Sequence, residues 1–259
     1  MRSLWTAATG MSAQQSNMDV IANNLANAST TGFKKSRGNF EDLMYQNITP
    51  PGAETANNTQ VPTGVQIGMG AKNVSVEKVF SQGSFTETGN NLDLGIEGKG
   101  FFKIMRGSQE VYTRAGSLKM DHEGYVVDAN GNRLQPEVTI PKNTATIHVD
   151  SGGALTAIDG GGKVLSTVQM RLYDFPNPAG LMSAGHNYFI PTPASGEVTD
   201  GQPGTESYGT LLQGYLESPN INVVEEMVNM IMCQRAYEAN SKVIKTADQM
   251  LQESNSVKG

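Results

Sequence analysis

Apolar residues recur at seven-residue spacing at both ends of this 259-residue chain, and the long stretch between them has no such pattern. At the N-terminus the series is Leu4, Met11, Met18 and Leu25, with Ala8 and Ala22 at intervening four-residue steps. At the C-terminus it is Val223, Met230, Tyr237, Ile244 and Leu251. On a helix such spacing makes a narrow seam that fits another helix better than it fits a sheet. Two thin seams bury too little apolar surface to offset the ordering of two long helices. Each is therefore expected to gain partners from other copies of the chain, with ordering coupled to assembly.

The first helix is predicted over residues 3–28, capped by Ser3 and interrupted only by Gly10. At 1.5 Å per residue it would be roughly 39 Å long. Gln14, Gln15, Asn17, Asn23, Asn24 and Asn27 give it many amides, which either face solvent or hydrogen-bond to neighbouring helices and fix their register. Ser29-Thr30-Thr31-Gly32 ends the helix and Phe33 follows as an apolar anchor. A shorter amphipathic helix is expected from Phe40 to Ile48, on Phe40, Leu43 and Met44. The last helix starts after Ser218-Pro219-Asn220, with Asn222 as cap and Glu225 three residues on, and runs to about Glu253.

From Val74 the period changes to two. Candidate strands lie at Val74–Phe80, Leu92–Ile96, Phe101–Ile104, Val111–Thr113, Leu118–Met120, Tyr125–Val127 and Arg133–Gln135, with Asn130-Gly131 as a two-residue hairpin turn. Later candidates are Thr146–Val149, Ala154–Ile158, Val164–Phe175, Tyr188–Ile190 and Leu211–Leu216. The fold class expected is mixed α and β, with the N- and C-terminal helices pairing as a coiled coil around a central, mainly antiparallel β domain. Residues 1–30 and 220–259 would form the helical domain, 31–70 a connecting segment, and 71–219 the β-rich domain. Residues 49–70, with Pro50, Pro51, Gly52, Pro62, Gly64, Gly68 and Gly70, form an irregular stretch too long to lack a purpose.

A net charge of −6 and the lack of a basic run argue against a nucleic-acid surface. Lys34-Lys35-Ser36-Arg37 is read instead as positive charge favoured beyond a helix's C-terminus. Nothing approaches the apolar length of a membrane span, and the N-terminus lacks a cleaved-signal pattern. His122, His148 and His186 have no metal-ligand spacing, and Gly160-Gly161-Gly162-Lys163 reads as a hairpin tip, since Val164 stands where a phosphate loop needs Ser or Thr. Asp128, Asn130 and Asn132 alternate as in a calcium loop, but Arg133 replaces its required glycine. Asp93 with Glu97, and Asp121 with Glu123, are carboxylate pairs of a kind common on any soluble surface. Cys233 on an apolar helix makes a poor nucleophile. No catalytic, cofactor-binding or metal site is expected.

Three separated stretches carry a resemblance. They are Ala22-Asn23-Asn24-Leu25-Ala26-Asn27 continuing through Gly32-Phe33-Lys34; Gly98-Lys99-Gly100-Phe101-Phe102 with Tyr112-Thr113-Arg114-Ala115-Gly116 and Asp121 through Gly124; and Val223 to Met230 followed by Gln234-Arg235-Ala236-Tyr237-Glu238-Ala239-Asn240-Ser241-Lys242. With these, the chain resembles the axial proteins of the bacterial flagellum. Tyr45-Gln46, Pro51-Gly52-Ala53, Pro62-Thr63-Gly64 and Gln66-Ile67-Gly68 are similar to an extra segment that rod subunits carry and hook subunits lack.

The resemblance implies a structural subunit of the distal rod, without cofactors, that polymerises into a straight, rigid, hollow shaft carrying torque to the hook and enclosing the export channel. The heptad residues would then be its polymerisation seam, and Tyr45, Pro51, Gly52, Pro62, Gly64 and Gly68 part of a stiffening segment. It also implies passage through the flagellar type III export apparatus without a cleaved signal, a place in the rod crossing the periplasm, and contacts with proximal rod, hook, and P and L ring proteins, with no nucleic acid and no membrane insertion. A hook or proximal rod subunit is the alternative within the family. Outside it stands a soluble β-domain enzyme or binding module with helical oligomerisation tails.

Overall fold

The computed structural model describes residues 2–50, 63–205 and 207–256. The chain divides into two units, one of Met1–Leu25, Ser36–Glu77 and Asn222–Gly259, the other of Ala26–Lys35 and Lys78–Ile221.

In the first unit, α1 (Arg2–Ala26) and α2 (Val223–Ser256) lie side by side and antiparallel. Asn17 Nδ2 stands 3.0 Å from Cys233 Sγ and Asn24 Nδ2 stands 3.4 Å from Glu226 Oε2. Gly10 faces Asn240 so closely that an added Cβ would lie 3.0 Å from the Asn240 amide nitrogen. Each seven-residue step up α1 is thus matched by a seven-residue step down α2. Helix α2 starts where the sequence places it, because Asn222 Oδ1 accepts the backbone N–H groups of Val224 and Glu225 at 3.1 and 3.4 Å. Glu225 and Glu226 in its first turn complement the positive end of the helix dipole. Helix α1 starts at Arg2, so Ser3 sits inside its first turn instead of capping it.

The same unit contains β1 (Ser36–Asp42), β2 (Tyr45–Thr49), β3 (Val65–Gly68) and β4 (Ala71–Lys78, of which Lys78 belongs to the second unit). The expected helix over Phe40–Ile48 is therefore replaced by two strands. Each strand finds a mate: β1 pairs with β4, while β2 pairs antiparallel with β3 through Tyr45↔Gly68 and Gln46↔Ile67. Pairing decides the conformation of such short apolar pieces more than periodicity does. Of the expected stiffening residues, Tyr45 and Gly68 lie on this ribbon and Gly64 just before it; Pro51, Gly52 and Pro62 lie outside the described residues.

The second unit is built from antiparallel strands. β5 (Phe85–Glu87) and β6 (Leu94–Glu97) lead into the hairpin of β7 (Phe102–Arg106) and β8 (Gln109–Thr113), followed by β9 (Lys119–Met120), β10 (Val126–Val127) and β11 (Arg133–Gln135). Between β10 and β11, Asp128 N donates to Asn132 O at 2.9 Å and Gly131 N to Asp128 O at 3.1 Å, so the expected two-residue turn is instead the three-residue loop Ala129-Asn130-Gly131, closed by Gly131 at φ +82°. β12 (Thr144–Val149), β13 (Ala154–Asp159) and β14 (Val164–Gln169) make a three-stranded meander with Gly160–Lys163 at one tip. Beyond it come β15 (Leu172–Asp174), β16 (Met182–Ser183), β17 (Phe189–Ile190) and β18 (Thr199–Gly201). The single run expected over Val164–Phe175 is thus two strands in two sheets, since β15 pairs with β18. Finally β19 (Thr210–Gln213) pairs with β6 and β20 (Tyr215–Glu217) with β5. The largest sheet has the order β16-β17-β8-β7-β11-β10-β9.

Alternate residues of these strands close a core that includes Leu94, Ile96, Phe102, Ile104, Val111 and Leu134, all essentially inaccessible. An aromatic cluster of Phe101, Tyr112, Phe175 and Phe189 packs with Phe80 in edge-to-face pairs whose ring centroids are 4.9–5.9 Å apart.

Candidate assembly surface and junction motif

The two units are built on opposite terms. Among the described residues of the first, the buried apolar side chains are small or few: Ala7, Ala13, Ile21, Cys233 and Ala247. Its large ones face outward. On α2, Val224 is 70% exposed, Met232 63%, and Met227, Val228 and Ile231 about half. Trp5 on α1 is 62% exposed and Met44, beside the β2–β3 ribbon, 86%. Among the described residues of the second unit, the exposed large apolar residues are Met120, Val164, Leu165, Met182 and Val198, each set apart from the packed core. A contiguous apolar face of this kind marks an interaction surface.

The expected seam residues border the helix–helix contact instead of filling it. Leu4, Met11, Met18, Leu25, Met230 and Ile244 are half-buried, while Val223, Tyr237 and Leu251 are about 40% exposed. The facing positions are Gly10, Asn17 and Asn24 against Asn240, Cys233 and Glu226. Burial raises the Cys233 thiol pKa, with the Asn17 amide opposing that shift. Sequence reasoning noted the amides of α1 but not the seven-residue spacing of Gly10, Asn17 and Asn24, which is the signal that identifies this face.

The turn after α1 has a concrete basis in the second unit. Gly32 adopts φ +70° and donates its N–H to Glu217 O at 2.8 Å; a Cβ there would stand 2.7 Å from Ala115 N. Phe33 is buried beneath the Lys78 ammonium, 4.2 Å from its ring centroid. Lys34 then enters the interior, where Nζ bonds Glu217 Oε1 at 2.7 Å and Ser81 O at 2.8 Å. Arg114 Nε bonds the other Glu217 oxygen at 3.0 Å and its Nη2 reaches Ile96 O and Gly98 O. Gly83 N also donates to Glu217 Oε1, at 2.9 Å. Burial foremost, and then the Arg114 charge, draw the Lys34 pKa down, while Glu217 opposes them.

Lys34 is therefore no helix-end charge, as its sequence context had indicated, but half of a buried ion pair. Asn220 ties the adjoining segments, accepting Lys35 N at 2.8 Å and donating to Val79 O at 2.8 Å. Asn24, in the first unit, exchanges two hydrogen bonds with the Ser36 backbone, at 2.9 and 2.8 Å. Among the other motif residues, Asn27 is half-buried and accepts the Thr30 hydroxyl at 3.3 Å, and Asn23, Gln234 and Arg235 are exposed. Glu217 carried no sequence signal, because its partners are distant in the chain.

The groups weighed for chemistry serve local structure. Asp93 accepts the Thr88 hydroxyl at 2.6 Å and the Asn90 amide at 3.1 Å, and Glu97 accepts the Thr210 hydroxyl at 3.1 Å. Asp128 accepts backbone N–H groups from Asn130 and Asn132, and the Tyr188 hydroxyl. A cavity of about 220 Å³ beside it is lined by polar and apolar side chains together, among them Thr30, Ile104, Thr113, Ala115, Asn130 and Asn187.

An outward-facing apolar helix pair and a β-unit knitted by buried charges are the marks of a structural subunit. Residues 4–34 match the family described as "Flagella basal body rod protein", residues 95–157 the "Flagellar hook protein FlgE/F/G D1 domain", and residues 212–257 the "Flagellar basal body rod FlgEFG protein C-terminal". The chain is 46% identical over 252 residues to the flagellar basal-body rod protein FlgG of Buchnera aphidicola subsp. Schizaphis graminum, covering 96% of this chain and 97% of that one. Against the FlgG of Caulobacter vibrioides it is 45% identical, with 97% of each chain covered; against that of Borreliella burgdorferi it is 44% identical, with 100% and 99% covered. The chain belongs to the family of flagellar basal-body rod proteins represented by FlgG, structural subunits of the flagellar rod and not enzymes.

Proposed function

We propose that this chain is the subunit of the distal rod, polymerising into a straight, hollow drive shaft that carries torque to the hook and surrounds the export channel. The observation that carries this reading is the outward apolar face of α2, with Val224, Met227, Val228, Ile231 and Met232. In a polymer, copies of the helix pair cover these side chains and gain the burial that a single chain lacks. The terminal helices then act as a coiled-coil core, with Leu4, Met11, Met18, Leu25, Val223, Met230, Tyr237, Ile244 and Leu251 meeting neighbouring copies, and the β-rich unit forms the outer shell. On this reading the subunit leaves the cell through the flagellar export apparatus without a cleaved signal and meets proximal rod, hook and ring proteins.

Stiffness is assigned to residues 45–70. The β2–β3 ribbon shows Tyr45, Ile48, Val65 and Ile67 to solvent, a surface able to wedge between copies and resist sliding. Electron microscopy of concentrated full-length protein beside a Met227→Glu/Ile231→Glu variant tests the assembly reading. Straight tubes from the parent and none from the variant are expected; tubes of equal yield from both would refute it.

A further inference from the structure

The seam between α1 and α2 is polar where the helices have apolar alternatives close at hand. Asn24 and Glu226 are buried at 2% and 5% exposure, Cys233 is buried beside Asn17, and Asn240 fills the space above Gly10. Met11, Met18 and Leu25 each follow a ladder position by one residue, a rotation of about 100° around α1, and Leu4 continues that stripe one step earlier. Val223, Met230 and Tyr237 precede the α2 ladder positions by three residues, a rotation of about 60° the other way, and Ile244 continues that stripe. Turning both helices by these angles would close the apolar stripes on each other and leave the amides and Glu226 in water. Burial of apolar area favours that arrangement; the ladder opposes it. Turning the helices would break the Asn17–Cys233 and Asn24–Glu226 contacts, release the Asn24–Ser36 backbone bonds, and move Asn240 off the only glycine of α1 against side chains that have a Cβ.

We propose that the couples Gly10·Asn240, Asn17·Cys233 and Asn24·Glu226 form a rotational key, which holds the apolar stripes at the border of the helix contact instead of within it, so that a chain cannot fully bury them against each other. These are positioning residues: their contacts lie within the helix pair, and they act by deciding which face another copy meets. A buried polar group that fixes helix orientation at a cost in stability is known from coiled coils, where a single Asn sets register. Polar ladders are often less stable than the apolar packing that could replace them, so the proposal fixes the sign of the outcome. Loss of the key should make the free chain more ordered and the polymer scarcer.

The inference rests on the assembly reading above, and its test has a readout independent of it. In full-length protein, Asn17→Leu/Asn24→Leu/Asn240→Leu is compared with the parent by hydrogen exchange over residues 2–26 and 223–256 of the free chain, and by pelleting of polymer. The expected result is protection of the helices raised about tenfold or more and polymer yield lowered about tenfold. Lower protection together with lower yield would make the ladder merely structural and overturn the proposal, as would an unchanged or increased yield. Should the triple variant aggregate, Asn17→Leu/Cys233→Leu alters one couple alone and must show the same opposed changes. If Met227→Glu/Ile231→Glu leaves assembly intact, the assembly reading fails, whereas the exchange measurement still reports whether the ladder restrains the helices.

Discussion

Lys34 Nζ and Glu217 Oε1 meet at 2.7 Å with neither side chain measurably in contact with solvent. Glu217 is also held by Arg114, so one carboxylate joins the turn that leaves α1, the strand segment after β8, and the last strand before α2. Because these stretches are far apart in sequence, the ion pair acts as an internal staple of the β-rich unit. Removing one partner leaves an uncompensated buried charge, which costs about 3–5 kcal/mol. Glu217→Ala, which strands both cations, should lower the stability of the unit by that amount in chemical denaturation, and Lys34→Met, which leaves Glu217 paired with Arg114, should lower it by less. A loss below about 1 kcal/mol in both would mean that water reaches the site.

Gly32 gives a backbone counterpart. Its φ of +70° is disfavoured for a residue with a side chain, and the added methyl would also press against the Arg114–Ala115 backbone. Gly32→Ala is expected to cost about 1–3 kcal/mol, seen as a lower midpoint in urea. Retained stability would require this turn to adopt a different conformation.

Much of this architecture is legible from residues alone. The two long helices, the Asn222 cap and the reversal at Asn130-Gly131, though with a loop one residue longer than expected, follow from periodicity and turn chemistry that act over a few residues. The strands at 36–49 do not, because Phe40, Leu43 and Met44 mimic a short helix and only pairing with β3 and β4 decides otherwise. For the same reason β4, read within the β-rich domain, goes with the helices. The apolar heptads at both termini were evident, yet the polar positions beside them face each other, since periodicity marks a stripe without saying what it meets. Glu217 was silent for want of any local pattern.

A pH-dependent group sits at the turn between β9 and β10. His122 Nδ1 lies 3.0 Å from Asp121 Oδ1, and this hydrogen bond, with the carboxylate's charge, raises the imidazole pKa above its ordinary 6.5. A raised pKa in the folded state means that the contribution is fully present below the unfolded value and is lost as pH rises through the folded one. NMR titration should place His122 above 6.5, and Asp121→Asn should bring it down. An unchanged titration in that variant would assign the shift to another group.

The ribbon of β2 and β3 yields a mechanical prediction. Deleting residues 45–70 should leave the packed core of the β-rich unit intact while giving curved or flexible polymer in place of straight tubes. The check is persistence length measured from micrographs; deletion polymer as straight as the parent would end the assignment of stiffness to this segment.

The central claim is that the outward apolar face of α2 becomes an inner surface when copies assemble. Oxidation of methionine reports this directly, because Met227 and Met232 are 52% and 63% exposed in the single chain. Full-length protein, free and polymerised, would be treated with dilute hydrogen peroxide and its sulfoxides quantified by mass spectrometry. Oxidation of Met227 and Met232 about tenfold slower in the polymer is the predicted result. Equal rates in the two states would contradict the account, since the face would then remain in water after assembly.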